Sequence, residues 1–383
     1  LDAMEGRDGG YNFVTGNYRT APSLEGTDSV PVKIERKFLR AGSMAYNANG
    51  HALLVAKIDD SGEVHFLDAH PDHSVTFNQT LSALEIINAQ MTTNEKKWYD
   101  GFKNFRLSNL VNGAVSPMTN VEMEKYGFSL EQYQEMNKGG NFQNFVRNKL
   151  KRGIENPFVF LESSCKELGD MFRERELFVQ EGWNDVLANG TIIFPNDSST
   201  ENIYQANGRW ETWSSPSSDV DRKQKYNYLG KRLEEMVDGF PNDKGFDYSG
   251  INSQKDFVQK IIEMKRKLFI NEIVKYKSSD GDFFELTFED IEKRLFDLSF
   301  DPNHPPELRW GAPENSKERE GMKLFSTSLM TGENIDALKI YALEKGLRFY
   351  PSRQVGATTL NVNENPTEKP FELIEKRFEN YLN

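Results

Sequence analysis

The sequence predicts an α+β chain, with a small antiparallel sheet followed by a mainly helical part. Three observations carry this. Two apolar runs of strand length, "HALLVAKI" (His51–Ile58) and "EVHFLDAH" (Glu63–His70), flank the turn sequence "DDSG", with Gly where a tight hairpin needs positive φ. Past residue 120 the apolar spacing becomes helical: in "FVFLESSCKELGDMFRERELFVQEGW", Leu161, Cys165, Leu168 and Phe172 fall on one stripe. The 383 residues also exceed what one core usually organises. Two domains are therefore expected, residues 1–120 and 121–383.

The elements follow in chain order. Residues 1–30 are rich in Gly, Asn, Thr and Ser and read as loop. "VPVKIERKFL" and "AGSMAYN" read as short extended segments. On the second hairpin strand, alternation puts Val64, Phe66, Asp68 and His70 on one face and His65 and Leu67 on the other. "QTLSALEIINAQMTTNEK" reads as helical or irregular, and "WYDGFKNFRL" as a segment packing back on the sheet. "SLEQYQEMNK" opens a helix at Ser129. "IYQANGRWETW" carries an Asn207-Gly208 signal that predicts a short β-hairpin near 203–213. Ser217 or Ser218 is the expected N-cap of the next helix. "NSQKDFVQKIIEMKRKLFINEIVKY" reads as one amphipathic helix with Phe257, Ile261, Met264 and Leu268 in a stripe. Thr287 caps "LTFEDIEKRLFDL", and two more helices are expected near 333–346 and 370–382.

Charge and composition exclude some classes. The net charge of −12 repels phosphate backbones, and the basic run "RNKLKRG" is too short to offset it. No nucleic-acid partner is expected, and no apolar run reaches membrane-spanning length. One cysteine, Cys165, rules out an internal disulfide framework. Leu1 in place of an initiating Met implies processing or truncation, and a removed export signal is one source of that. A periplasmic or secreted location is the expectation, although a single cysteine fits the cytosol equally well.

Four of the five histidines lie between Gly50 and Ser74. A thiol or hydroxyl nucleophile needs a base within hydrogen-bond reach, and the base needs a third group to orient it. Pairing across the turn brings residue 51 near residue 70, with 68 diagonal to it. His51 is thus a candidate base, with Asp68 or His70 as its orienter. The competing reading is a solvated sheet end without chemistry.

The stretch "NGHALLVAKIDDSGEVHFLDAHPD" resembles the His-bearing hairpin of papain-like cysteine peptidases and amidases, particularly the NlpC-type cell-wall enzymes. The resemblance covers about the first third of the chain. It implies a papain-like sheet, a base at His51, a third member at Asp68 or His70, and a peptide or peptidoglycan-like substrate with no cofactor. With "WETWSSPSSD", the stretch also resembles a set of uncharacterised bacterial proteins. Papain-like enzymes carry their cysteine on a helix before the histidine strand, and none precedes His51 here. Three arrangements stay open: a nucleophile upstream of Leu1, a permuted fold using Cys165, or an inactive site. Cys165 lies on an apolar stripe, where a thiol packs as core and is inert. A non-catalytic binding or scaffold protein, with a protein partner on the helical half, is the alternative from a different class.

A metal-dependent hydrolase is the third reading. His65, Asp68, His70, Asp72 and His73 are mixed nitrogen and oxygen ligands, but alternation splits His65 from Asp68 and His70, and no HExxH is present. "SSDGDFFELTFEDIE" lacks the spacing of an EF-hand and reads as a turn before a capped helix. "DPNHPPELRWG", with His304, Arg309 and Trp310, reads as Pro-rich turn. Trp210 and Trp213 read as core ahead of a ligand platform.

Overall fold

The computed structural model describes residues 22–46, 52–69, 75–81, 100–139, 141–192, 208–271, 273–323 and 372–382. The chain divides into two compact units, Leu1–Glu155 and Asn156–Asn383. The fold is α+β, as the sequence predicts.

The first unit is built on a six-stranded sheet of order β1-β6-β2-β3-β4-β5, in which every neighbouring pair is antiparallel. Its strands are β1 (Ser29–Pro31), β2 (Met44–Tyr46), β3 (Ala52–Ile58), β4 (Val64–Ala69), β5 (Val75–Thr80) and β6 (Gly101–Phe105). The segment around "WYDGFKNFRL" does return to the sheet, as β6 between β1 and β2. A separate hairpin joins β7 (Ser108–Val111) to β8 (Ala114–Pro117). Asn112 and Gly113 turn it with φ of 52° and 79°, the left-handed pair that a two-residue hairpin loop selects.

Three helices follow: α1 (Asn120–Met123), α2 (Glu131–Met136) and α3 (Phe142–Leu150). Helix α2 starts two residues later than Ser129. The core joins Ala45, Leu53, Val55, Val64, Phe66 and Phe102 of the sheet to Tyr133, Met136, Phe142, Val146 and Leu150 of the helices. Phe142, Val146 and Leu150 recur every fourth residue, so one face of α3 is apolar. This packing moves the domain boundary. Residues 121–155, expected with the helical part, belong to the sheet unit because their apolar face has the sheet as its partner.

The second unit is mainly helical. Its elements are α4 (Pro157–Asn189), α5 (Arg209–Trp213), α6 (Pro216–Gly239), α7 (Gln254–Asn271), β9 (Ile273–Lys277), β10 (Phe283–Thr287), α8 (Phe288–Arg294), α9 (Pro306–Arg309), α10 (Ile374–Arg377) and α11 (Glu379–Leu382). Helix α4 starts cleanly: the Asn156 side chain accepts from the backbone N–H of Phe158 and Val159, and Pro157 takes the first turn. Helices α6 and α7 pack along it. The core gathers Leu161, Leu168 and Phe172 of α4, Leu229, Leu233 and Met236 of α6, Phe257, Ile261 and Phe269 of α7, Ile374 of α10, and Phe378 between α10 and α11.

Three expectations are corrected. Residues 209–213 are helical, with Gly208 as the N-terminal cap at φ 72°; the glycine signal marks a helix start, and 203–207 lie outside the described residues. The helix predicted across 252–276 ends at Asn271, and the chain continues as β9. There burial alternates residue by residue, with Val274 and Tyr276 inside, so a period of two has replaced the period of 3.6. The cap of α6 is Ser215, ahead of Pro216 at the first helical position. The helix expected near 333–346 also lies outside the described residues, whereas the cap at Thr287 is present as a reciprocal box with Asp290.

Candidate functional site

The β3–β4 hairpin is held from its turn outward. Gly62 has φ +88°, and a Cβ there would sit 2.3 Å from the Arg147 carbonyl oxygen of α3. No L side chain fits that contact or that conformation. The Asp59 carboxylate accepts from the Ser61 hydroxyl at 2.6 Å, the Glu63 amide at 3.0 Å and the His65 imidazole Nε2 at 3.1 Å. Burial pushes the Asp59 carboxyl up, but the bonds from His65 and Ser61 outweigh it and hold the group below its ordinary range. The Arg36 guanidinium donates to the carbonyls of Leu150 and Ile58, at 2.5 and 3.0 Å, and to that of Asp59. A buried Arg147–Glu63 pair at 3.6 Å adds to the anchoring. The hairpin therefore has little freedom to slip in register, and each side chain on it has a fixed face.

On β4, Val64 and Phe66 enter the core. Asp68 follows at the strand period and is 5% exposed. It lies opposite Thr76 of β5, and the residue before it, Leu67, lies opposite Leu54 of β3. A carboxylate is thus carried at the end of an apolar strand face, beside the strand that begins at Ala52. His51 is the residue before Ala52 in the sequence. His51, His70, Asp72 and His73 lie outside the described residues.

His65 donates to Asp59 in the turn, on the opposite strand face from Asp68, as alternation predicts. The metal reading thereby has His65 and Asp68 apart. Among the described residues, no group of three or more His, Cys, Asp and Glu is placed to hold a metal ion. Ser61 donates to Asp59 and not to His65, so Ser61, His65 and Asp59 do not form a nucleophile–base–orienter chain. The sheet's other face buries Lys103, whose Nζ lies 5.6 Å from the Tyr46 ring. Burial pushes its ammonium down to about 8 against the pull of Asp100.

Cys165 lies in the second unit, 1% exposed, within the core that also holds Leu161, Leu168 and Phe172. A thiol so enclosed has no face for a substrate carbonyl. Trp210 is also buried. The Pro-rich segment proves to be more than a turn. Ser299 Oγ lies 2.6 Å from His304 Nδ1, and His304 Nε2 lies 3.8 Å from Asp301. The residue types match a hydrolytic triad, but all three are buried, and Ser299 Oγ also accepts the Asp301 amide at 3.2 Å. Burial drives the imidazole down to about 4, and Arg309 adds to this. Such a histidine is neutral at pH 7 and a weak base. The "SSDGDFF" segment forms the β9–β10 turn, closed by Ser278 N–H donating to the Asp282 carbonyl at 2.7 Å.

Sequence reading missed two constellations. The Asp59–His65 bond has a signal, since "DDSGEVH" places an acceptor six residues before the histidine across a tight turn. The second, a group of buried arginines around Asp219, has a local signal only in Arg222, three residues on along the same helix; Arg175 and Arg309 are 44 and 90 residues from Asp219 along the chain. Among the described residues, no helix is long and apolar enough to cross a membrane. Compared with known proteins, the chain matches no protein family, no curated protein and no solved structure.

Proposed function

We propose that the first unit is a papain-like peptidase or amidase module whose base is His51 and whose orienting carboxylate is Asp68, acting on cell-wall-type peptides. The observation that supports this best is the burial of Asp68 on the core-facing side of β4, next to the strand that His51 precedes. A carboxylate is rarely buried unless it is paired, and an imidazole held by a buried carboxylate keeps one tautomer and one orientation. The rigid turn below it supplies the fixed framework that a base needs. Cys165 has no part in this reading: its place is the packed core of the second unit.

The second reading is a non-catalytic peptide-binding module on the same scaffold. One observation favours it: the only cysteine of these 383 residues is enclosed. Incubation with muropeptides and mass analysis of the products separates the two. Hydrolysis that falls about 10³-fold or more in His51→Ala is the expected result; its survival in Cys165→Ala would assign the attack to a hydroxyl or a water activated by His51 in place of the enclosed thiol. Saturable muropeptide binding without turnover sinks the peptidase reading in favour of the second.

A further inference from the structure

Four cations of the second unit are buried around one fully buried carboxylate. Asp219 of α6 receives Arg175 of α4 in a two-pronged bond, Nε to Oδ1 at 2.7 Å and Nη2 to Oδ2 at 3.0 Å. Arg222 donates to the same carboxylate at 3.3 Å. Ser215 donates to it at 2.8 Å and accepts from Arg309 Nη2 at 3.0 Å, so the guanidinium groups of Arg175 and Arg309 are one Ser215–Asp219 link apart. Lys223 is buried beside them. Other carboxylates surround the group: Asp301 acts on Arg309, Asp297 on Lys223, and Glu174 and Asp221 on Arg222. None of these accepts a hydrogen bond from Arg175 or Arg309; the two guanidinium groups donate to Asp219, Ser215 and the carbonyls of Ser299 and Trp213.

Three donors are left over. Arg175 Nη1, Arg309 Nε and Trp310 Nε1 are buried and meet no acceptor among the described residues. The side chains that carry them are 0–1% exposed, and Arg175 lies over the Trp310 ring at 4.9 Å. A buried donor without an acceptor is costly. The carboxylates around the group balance its charge but leave these three N–H groups without an acceptor, and one added anion supplies it. Guanidinium forks and an indole N–H are donors suited to a compact anion.

We propose that the second unit holds a small inorganic anion, of the chloride or phosphate class, as the internal hydrogen-bond acceptor of Arg175, Arg309 and Trp310. The enclosed atoms make it a resident ion, taken up through local opening and not bound at an open cleft.

Equilibrium dialysis of the full chain against labelled chloride, and separately against labelled phosphate, tests this. Gluconate holds the ionic strength constant. The expected result is saturable uptake of about one anion per chain for one of the two, which also identifies the ion. The affinity should weaken at least tenfold in Arg309→Met. Because that variant can fail to fold, Trp310→Phe is measured beside it. It removes one donor while keeping an aromatic ring under Arg175 and every charge, and should weaken binding a few-fold. Absence of saturable uptake of both anions by the native chain overturns the proposal, as does uptake that Trp310→Phe leaves unchanged.

Discussion

Asp219 is the residue on which the charge balance of the second unit depends. Burial works against its ionisation, yet Arg175, Arg222 and Arg309 overcome that and hold the carboxyl down at about 2. The arginines depend on it in turn: burial and the neighbouring Arg175 push Arg309 down to about 9. Asp219→Ala removes the anion and leaves the cations, which is the expensive way to break a buried pair. A loss of about 3–5 kcal/mol in urea unfolding is expected, and a loss below about 1 kcal/mol would mean that the cations find compensation elsewhere. At the same scale, the sequence showed which side of β4 Asp68 takes, because strand alternation is a local rule. It did not show Arg175 with Asp219, because that contact exists only after two helices pack.

At the scale of elements, the β3–β4 hairpin was the most legible part of the chain. Its strands, its "DDSG" turn and the positive φ of Gly62 follow from residues within a dozen positions of one another. What the turn rests on was not legible: the Arg147 carbonyl lies 85 residues further along the chain. Gly62→Ala therefore carries two penalties, a left-handed φ and a backbone clash. It should cost at least about 2 kcal/mol in chemical denaturation, and a neutral effect would contradict the described anchoring. The change from α7 to β9 was misread for a physical reason. "INEIVKYK" satisfies both periods, and only its pairing with β10 decides between them.

For the whole molecule, burial of ionisable groups sets the response to acid. His304 is lowered from an ordinary 6.5 to about 4, so between those values the unfolded chain binds a proton that the folded chain does not. Stability then rises with pH across that window and is lost as pH falls through it. Asp219, depressed from 3.8 to about 2, extends the loss to still lower pH with the same sign. The melting temperature should fall steadily from pH 6.5 to pH 4. His304→Gln should flatten that slope, removing a pH-dependent part on the order of 3 kcal/mol. An unchanged slope would assign the acid sensitivity to other groups.

The α+β class and the order of its parts were legible because hydrophobic period is a local property. The boundary at Glu155 was not, because α2 and α3 look like members of the helical part until their apolar face meets the sheet. The same division applies to function: the hairpin carries the residues proposed as base and orienter, and only their meeting makes a site. That meeting is the central claim, and histidine NMR titration tests it most directly. With the native chain and Asp68→Asn compared, and His51→Ala identifying the resonance, His51 should titrate about one unit lower once the Asp68 charge is gone. An unmoved His51 titration would show that Asp68 does not face it, and would contradict the assignment.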